Sequence, residues 1–362
     1  MLGEPRPILP THAREGLVEA SLAASRLLGV SRRSSAVSVA AEMREDGLPD
    51  YLQLAIVIRQ STTLRLEGYH DRSDILIQDA LSRILVRDIR SHCLYGCLLF
   101  SRAENAILRK EFDRAQSYLG QWEVKNDPPF GYELQVLRMK NTVIGRLSQY
   151  QGDFPYAEHC LKTCLQTIPT ETSRFHVMHH LAGVYCEQGL AEKAEELLIK
   201  DIEDLRARGK QRSKAFKRLL LPFAEACLEQ RKMKEARAAL SELGVIFDGA
   251  DGHDVSDQLD HVRSILGLVR IAYHESQWSE ALESSQKAFV LAQKYKTFED
   301  RSFYIGVILL FRTVIHFELG QLPESQRAYA SAMLYDQGPW HFLPGIGTHV
   351  LQLLISRIKS LQ

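Results

Sequence analysis

Cysteine is scarce in this sequence, which has six among its 362 residues. All of them fall inside patterns typical of helices: Cys93, Cys97, Cys160, Cys164, Cys186 and Cys227. A secreted domain that depends on disulfides carries cysteine at a much higher density. The scarcity therefore excludes a disulfide framework and predicts reduced thiols in an intracellular protein.

Long apolar runs are also missing. The longest strongly apolar stretch, Ile305 to Phe317, is interrupted by Arg312 and is too short to cross a bilayer. Met1 to Leu17 lacks the basic start and the apolar run of a signal peptide. We therefore expect no membrane partner and a cytoplasmic location, with the nucleus as the alternative.

The chain has no excess of either charge, because Lys+Arg and Asp+Glu both number 45. No overall field attracts it to nucleic acid, so any electrostatic preference must come from local patches. Its hydrophobic content of 45% is typical of a folded protein.

Enzyme signatures are absent as well. The sequence contains no phosphate-binding glycine loop, no Gly-x-Ser-x-Gly motif, no His-Glu-x-x-His and no dinucleotide fingerprint. A cysteine–histidine pair would have to use Cys186 with His179 or His180, all on one helix. We predict a protein that is not an enzyme, with no catalytic residue and no cofactor.

One pattern is present twice, between Met139 and Asp201. In the first copy a small residue on one helix precedes a turn, and a second helix follows (Gly145; Gly152, Asp153, Phe154; Ala157, Leu161, Cys164, Pro169). The second copy has the same order (Leu181, Ala182, Tyr185; Gly189; Ala194, Leu198, Asp201). This succession resembles the tetratricopeptide signature, which implies pairs of antiparallel helices that stack side by side.

The same spacing continues in both directions along the chain. A small residue opens each second helix at intervals of about 37 to 45 residues, and we name these the anchor residues: Ser73, Ala115, Ala157, Ala194, Ala236, Ala281 and Ser325. Five positions before each lies a turn residue: Gly68, Lys110, Gly152, Gly189, Arg231, Ser276 and Gly320. Glycine at most of these positions is typical of a helix that ends in a left-handed residue.

These repeats predict an all-α fold, a right-handed superhelix (α-solenoid) of about seven tetratricopeptide-like helical hairpins with helical caps. We divide the chain into an N-terminal helical cap at residues 1–50, a repeat array at 51–337 and a C-terminal capping helix at 338–362. The long period resembles the branch of the family with extended helices.

The resemblance implies that the first helix of each pair lines a concave groove that chooses the ligand. The inward positions are rich in basic and polar residues: Arg65, Asn105, Arg109, Arg146, His176, His179, Arg218, Arg263, Arg270 and His274. Acidic residues at such positions are Glu187, Glu225, Glu229 and Glu318. Arginine forks suit carboxylates, so we predict a protein or peptide ligand that is acidic. If the helix faces are shifted by one residue, these charges are ordinary surface.

Two other features have alternative interpretations. Cys160, Cys164, His176 and His180 approach the spacing of a zinc site, although Cys164 occupies a position that suits a small core residue. The run from Arg206 to Arg218 contains seven basic residues, and it indicates either a patch for acidic partners or a solvated turn between repeats.

The function predicted from these patterns is protein–protein interaction, as a scaffold or adaptor that holds a partner segment in its groove. One alternative is a regulatory or sensor subunit that controls an enzyme or a transcription regulator. Another is an accessory protein of a small-molecule biosynthetic pathway, which would require a closed apolar pocket.

Overall fold

The computed structural model of the chain describes residues 50–66, 69–83, 93–124, 131–168, 171–248, 255–294, 301–335, 354–358 and 360. In these ranges the backbone forms helices and connecting turns, with no β-strand. None of the helices described there has the length and apolarity needed to cross a membrane.

The helices follow one another as alternating first and second members of pairs. Their bounds are α1 Asp50–Leu66, α2 His70–Arg83, α3 Cys93–Leu108, α4 Phe112–Gly120, α5 Gly131–Gln151, α6 Phe154–Thr167, α7 Glu171–Glu187, α8 Ala191–Ala207, α9 Lys214–Glu229, α10 Met233–Asp248, α11 Val255–His274, α12 Trp278–Lys294, α13 Arg301–Glu318 and α14 Leu322–Met333. The alternation matches the predicted all-α fold of helical hairpins, which is confirmed.

The chain divides into two compact units. One contains Met1–Ala106 and Asp113–Val136, and the other contains Ile107–Phe112 and Leu137–Gln362. In the second unit, each first helix packs against its own second helix and against the second helix of the preceding pair, from α7 to α14. The first helices α7, α9, α11 and α13 also contact one another in succession.

Every anchor residue is buried; Ser325 is 7% exposed and the other six are fully covered. Where the anchor is serine, its hydroxyl donates to a carbonyl on the preceding helix: Ser73 to Ser61 at 3.0 Å and Ser325 to Thr313 at 2.8 Å. A small side chain is needed because the two helix backbones approach closely at this level.

The turn residues share one conformation. Gly152, Gly189 and Gly320 have φ of 80°, 72° and 72°, and the residues that are not glycine have φ of 60° (Lys110), 57° (Arg231) and 57° (Ser276). At Gly189 the next amide, that of Leu190, donates to the carbonyl of Tyr185 at 2.8 Å, as in a Schellman motif. The predicted left-handed turn is therefore present at six positions, while Gly68 lies outside the described residues.

The predicted ends of the array are only partly described. The N-terminal cap lies outside the described residues apart from Asp50. In the C-terminal segment, residues 354–358 form a helical turn, and Leu354 and Ile358 share an apolar cluster with residues of α11 to α14. Both caps, and the boundaries assigned to them, stay predictions.

Candidate functional site

The predicted groove residues lie on first helices, with the exception of Arg109 in the turn after α3. In the first unit, Arg65 forms an ion pair with Glu104. Asn105 is fully buried and donates from Nδ2 to Ser73 Oγ at 3.0 Å. In the second unit, Arg109 pairs with Glu111 at 3.2 Å. These three residues interact with side chains of the protein itself.

Two further arginines connect α9 to α11. The Nη2 atom of Arg263 donates to both carboxylate oxygens of Glu225, at 2.8 and 3.1 Å, and its Nη1 donates to Asp260 at 3.0 Å. Arg270 donates to Glu229 at 2.7 Å. The arginine side chains are only 6% and 3% exposed. Burial raises the pKa of Glu225, although Arg263 opposes that shift.

The partly accessible basic residues gather at α5, α7 and α9. We name this group the histidine site, and it consists of Arg146, His176, His179, His180 and Arg218. The rings of His176 and His180 are 4.8 Å apart between centroids, and those of His179 and His180 are 5.1 Å apart. Both pairs meet edge to face. The three histidine rings of α7 thus form one cluster in which His180 contacts both of the others.

A hydrogen bond settles the tautomer of His179. Its Nδ1 lies 2.9 Å from the carbonyl oxygen of Arg218. A carbonyl only accepts, so Nδ1 carries the proton and Nε2 keeps its lone pair. Burial, with the charges of Arg263, Arg218 and Arg146, lowers the pKa of His179 to about 3. This imidazole is neutral at pH 7.

His180 is the most unusual member of the site. Its Nε2 atom is buried and has no hydrogen-bond partner among the residues that the structure describes. Burial and the neighbouring His176, Arg146, His179 and Arg218 lower its pKa well below the ordinary value. The sequence indicates His180 as a candidate metal ligand and as a possible partner of Cys186, but not as a groove residue. Its position one turn after His176, a predicted groove residue on the same helix, is the signal that could have added it to the candidate site.

The candidate zinc ligands are not arranged as a metal site. Within the described ranges, no group of three or more His, Cys, Asp or Glu side chains could hold a metal ion. Cys164 is fully buried on α6 and its Sγ donates to the carbonyl of Arg138 at 3.4 Å. Burial raises the pKa of Cys164 to about 11, which disfavours the thiolate that zinc requires. The geometry gives the zinc interpretation no support.

Cys186 is equally poor as a nucleophile. It lies on α7, and burial together with the carboxylates of Glu225, Glu229 and Glu187 raises its pKa well above the ordinary value. The thiol is therefore protonated at neutral pH, whereas a catalytic cysteine needs the thiolate.

The basic run from Arg206 to Arg218 does not form one patch. Arg206 pairs with Glu242 at 2.5 Å, Arg208 with Glu171 at 2.6 Å and Lys217 with Asp257 at 2.5 Å. Its last residue, Arg218, belongs to the histidine site. The geometry therefore favours a turn between repeats, with three of its seven charges balanced by carboxylates of neighbouring helices.

Comparison with known proteins gives a likeness in fold. No family model and no curated protein matches the sequence. One similar solved structure is a Rap protein complexed with competence and sporulation factor, with a TM-score of 0.57 and 11% identity over 86% of this chain and 87% of that one. A second is BtubC (BKLC) from P. vanneervenii, with a TM-score of 0.46 and 16% identity over 66% of this chain and 89% of that one. The likeness to the Rap protein concerns the fold alone, and together with the observed hairpins it confirms an all-α, tetratricopeptide-like helical-repeat fold.

Proposed function

We propose that the protein is a scaffold or adaptor without catalytic activity, which binds a partner segment carrying carboxylates along the first-helix face at the histidine site. The observation that carries this proposal is the concentration of basic residues there. The charged groups with the largest effects on the pKa of His179 and His180 are all basic. Such a face favours an anionic ligand.

The two arginines of the site suit that role better than the buried ones. Arg146 and Arg218 are partly exposed, whereas Arg263 and Arg270 are held by carboxylates inside the fold. A guanidinium can donate two parallel hydrogen bonds to a carboxylate, which gives geometric specificity as well as affinity. We therefore assign ligand recognition to Arg146 and Arg218, and the connection of neighbouring repeats to Arg263 and Arg270.

The solved Rap protein supports a binding role, since it was captured with competence and sporulation factor. A chain of this fold thus holds a second molecule. The alternative of a small-molecule accessory protein predicts an enclosed apolar pocket, whereas the histidine site consists of basic, half-buried side chains. We favour a partner segment for this reason.

The proposal can be tested with a random peptide library displayed on phage. We expect the full chain to select sequences enriched in Asp and Glu. For a selected peptide, Arg146→Gln combined with Arg218→Gln should weaken binding by about tenfold or more, because two charge-assisted contacts are lost.

The matched control removes the same charge from second helices. Arg206 on α8 and Arg327 on α14 are exposed and do not belong to the histidine site, so Arg206→Gln combined with Arg327→Gln should leave the affinity unchanged. Selection of neutral peptides, or equal losses in the two double variants, would reject the proposal.

A further inference from the structure

The buried Nε2 of His180 is a polar atom that the fold itself does not satisfy. It has no hydrogen-bond partner in the described part of the chain, although the basic side chains of Arg146 and Arg218 are among the groups that influence it. Leaving such an atom without a partner costs free energy. An atom of this kind next to two arginines suits a ligand oxygen.

The charges around His180 come from several helices. Arg146 belongs to α5, His176 and His179 to α7, and Arg218 to α9. Arg263 of α11 acts on His179 and is itself paired with Glu225 and Asp260. The helices α6 and α8 also pack against α7, but among the described residues neither supplies one of the main electrostatic influences on His180. The charged groups with the largest influence on His180 are therefore all basic.

We infer that the histidine site binds one carboxylate of the partner segment together with a proton, which is taken up from solvent by His180. This inference rests on the proposed function and specifies its ligand chemistry. The neutral imidazole gains a proton, and the resulting imidazolium donates from Nε2–H to the carboxylate oxygen. One N–H bond forms at Nε2 with a proton released by hydronium or a buffer acid, no other covalent bond changes, and the site gains a carboxylate and its counterion in one step.

His180 is the proton acceptor because its Nε2 has no hydrogen-bond partner among the described residues, whereas the ring of His179 is already held by the fold. The Nδ1–H of His179 is already donated to the carbonyl of Arg218, which fixes that ring within the fold. A carboxylate bound between Arg146 and Arg218 offsets the positive charges that oppose protonation of His180. The bound anion should therefore stabilise the imidazolium that the empty site disfavours.

Proton uptake gives the binding a definite pH dependence. Where the bound site holds one more proton than the empty site, the affinity rises as pH falls, by up to about tenfold per pH unit. A carboxylate held by arginines alone would show no such rise between pH 8 and pH 6, because arginine keeps its charge throughout.

The experiment is an NMR pH titration of the full chain labelled with ¹³C-histidine, with succinate as the probe and sodium chloride of equal ionic strength as the reference. The C2–H signals are assigned with His176→Gln, His179→Gln and His180→Gln variants, whose helical content is checked by circular dichroism. We expect His180 to stay neutral between pH 8 and pH 6 in chloride and to take up a proton over that range in succinate, because the bound anion raises its titration midpoint. His159, exposed on α6, is the internal control, and its signal should not respond to succinate.

Each outcome separates the inference from the proposed function. A His180 signal that is the same in succinate and in chloride overturns the inference, as does an equal response of all histidines including His159. If a selected acidic peptide binds without proton uptake, measured by calorimetry in buffers of different ionisation enthalpy, the inference fails and the proposed function stands. If succinate shifts His180 but no peptide is selected, the site exists and the partner-segment proposal fails.

Discussion

The imidazoles of His179 and His180 are neutral within a basic environment, and keeping them neutral below their ordinary pKa lowers the stability of the folded state. In the unfolded chain each takes up a proton near its ordinary pKa, whereas the folded chain resists protonation. Two adjacent histidines with this property make the second unit sensitive to mild acid. Their charge state thus links the histidine site to stability as well as to binding.

We expect the free energy of unfolding to fall as pH decreases through 6.5. The pKa of His179 is about 3 in the folded protein and about 6.5 in the unfolded chain, so the unfolded state binds more protons between pH 6.5 and pH 3. His179 alone should therefore lower the free energy of unfolding by about 2 kcal/mol between pH 7.5 and pH 5. His179→Asn keeps a donor for the Arg218 carbonyl and cannot titrate, so urea unfolding of that variant should show a smaller loss. An equal pH dependence in both proteins would contradict this assignment.

The turn residues that are not glycine offer a second test at this scale. Arg231 has φ of 57°, a conformation that costs an L-residue about 1–2 kcal/mol. Arg231→Gly should therefore stabilise the protein, by about 0.5–1 kcal/mol after the greater chain entropy of glycine is subtracted. Arg231→Ala retains the strain and is the control, with an expected change within about 0.5 kcal/mol in thermal unfolding. A stabilisation shared by both variants would point to charge and not to backbone conformation.

At the scale of helices, two glycines distinguish close packing from open surface. A Cβ on Gly267 of α11 would lie 2.6 Å from Leu240 Cδ1 of α10, whereas a Cβ on Gly244 of α10 would meet nothing within 4 Å. Alanine is the better helix former by about 1 kcal/mol. We therefore expect Gly244→Ala to stabilise by up to that amount and Gly267→Ala to destabilise by about 1–3 kcal/mol, measured by chemical denaturation.

The double variant Gly267→Ala with Leu240→Ala completes that test. Shortening Leu240 removes the atoms that the new methyl group would meet, so the two changes should be less than additive. Strict additivity would show that α10 and α11 do not approach each other at Gly267.

The sequence predicted the helical hairpins well because their signals are local. One close helix contact requires a small residue at each anchor position, and one backbone conformation favours glycine at each turn position. Anchor and turn residues recur at a nearly fixed spacing. The pairing of Arg263 with Glu225 was harder to foresee, since the two residues are 38 positions apart on different first helices. Their separation of about one repeat is the signal that could have identified the pair, but opposite charges at that spacing are common in any charged array.

For the molecule as a whole, the ion pairs between α9 and α11 replace part of the apolar contact between neighbouring repeats. Removing one member of a buried pair leaves the other charge without compensation. Arg263→Met should therefore destabilise by about 3–5 kcal/mol, whereas Arg327→Met at an exposed pair should cost about 1 kcal/mol or less. Comparable losses in calorimetry would mean that the Arg263 pair is solvated.

A triple variant separates lost charge from lost packing. Arg263→Met with Glu225→Leu and Asp260→Leu replaces the whole cluster by apolar groups, and such replacements are often neutral or stabilising. Stability close to that of the original chain is the expected result. A loss as large as that of Arg263→Met would attribute the effect to the shape of the arginine side chain.

The same ion pairs have a consequence for the order of the repeats. The turns and anchors are nearly identical at the junctions that the structure describes, so they do not by themselves determine the order in which the hairpins follow one another. The carboxylates of Glu225 and Glu229 find their partners only where α11 follows α9. In a chain with these hairpins exchanged, the buried carboxylates would lie opposite side chains that do not compensate their charge. In this protein the ion pairs between α9 and α11 specify which repeats are neighbours, and a permuted chain would lose that specificity.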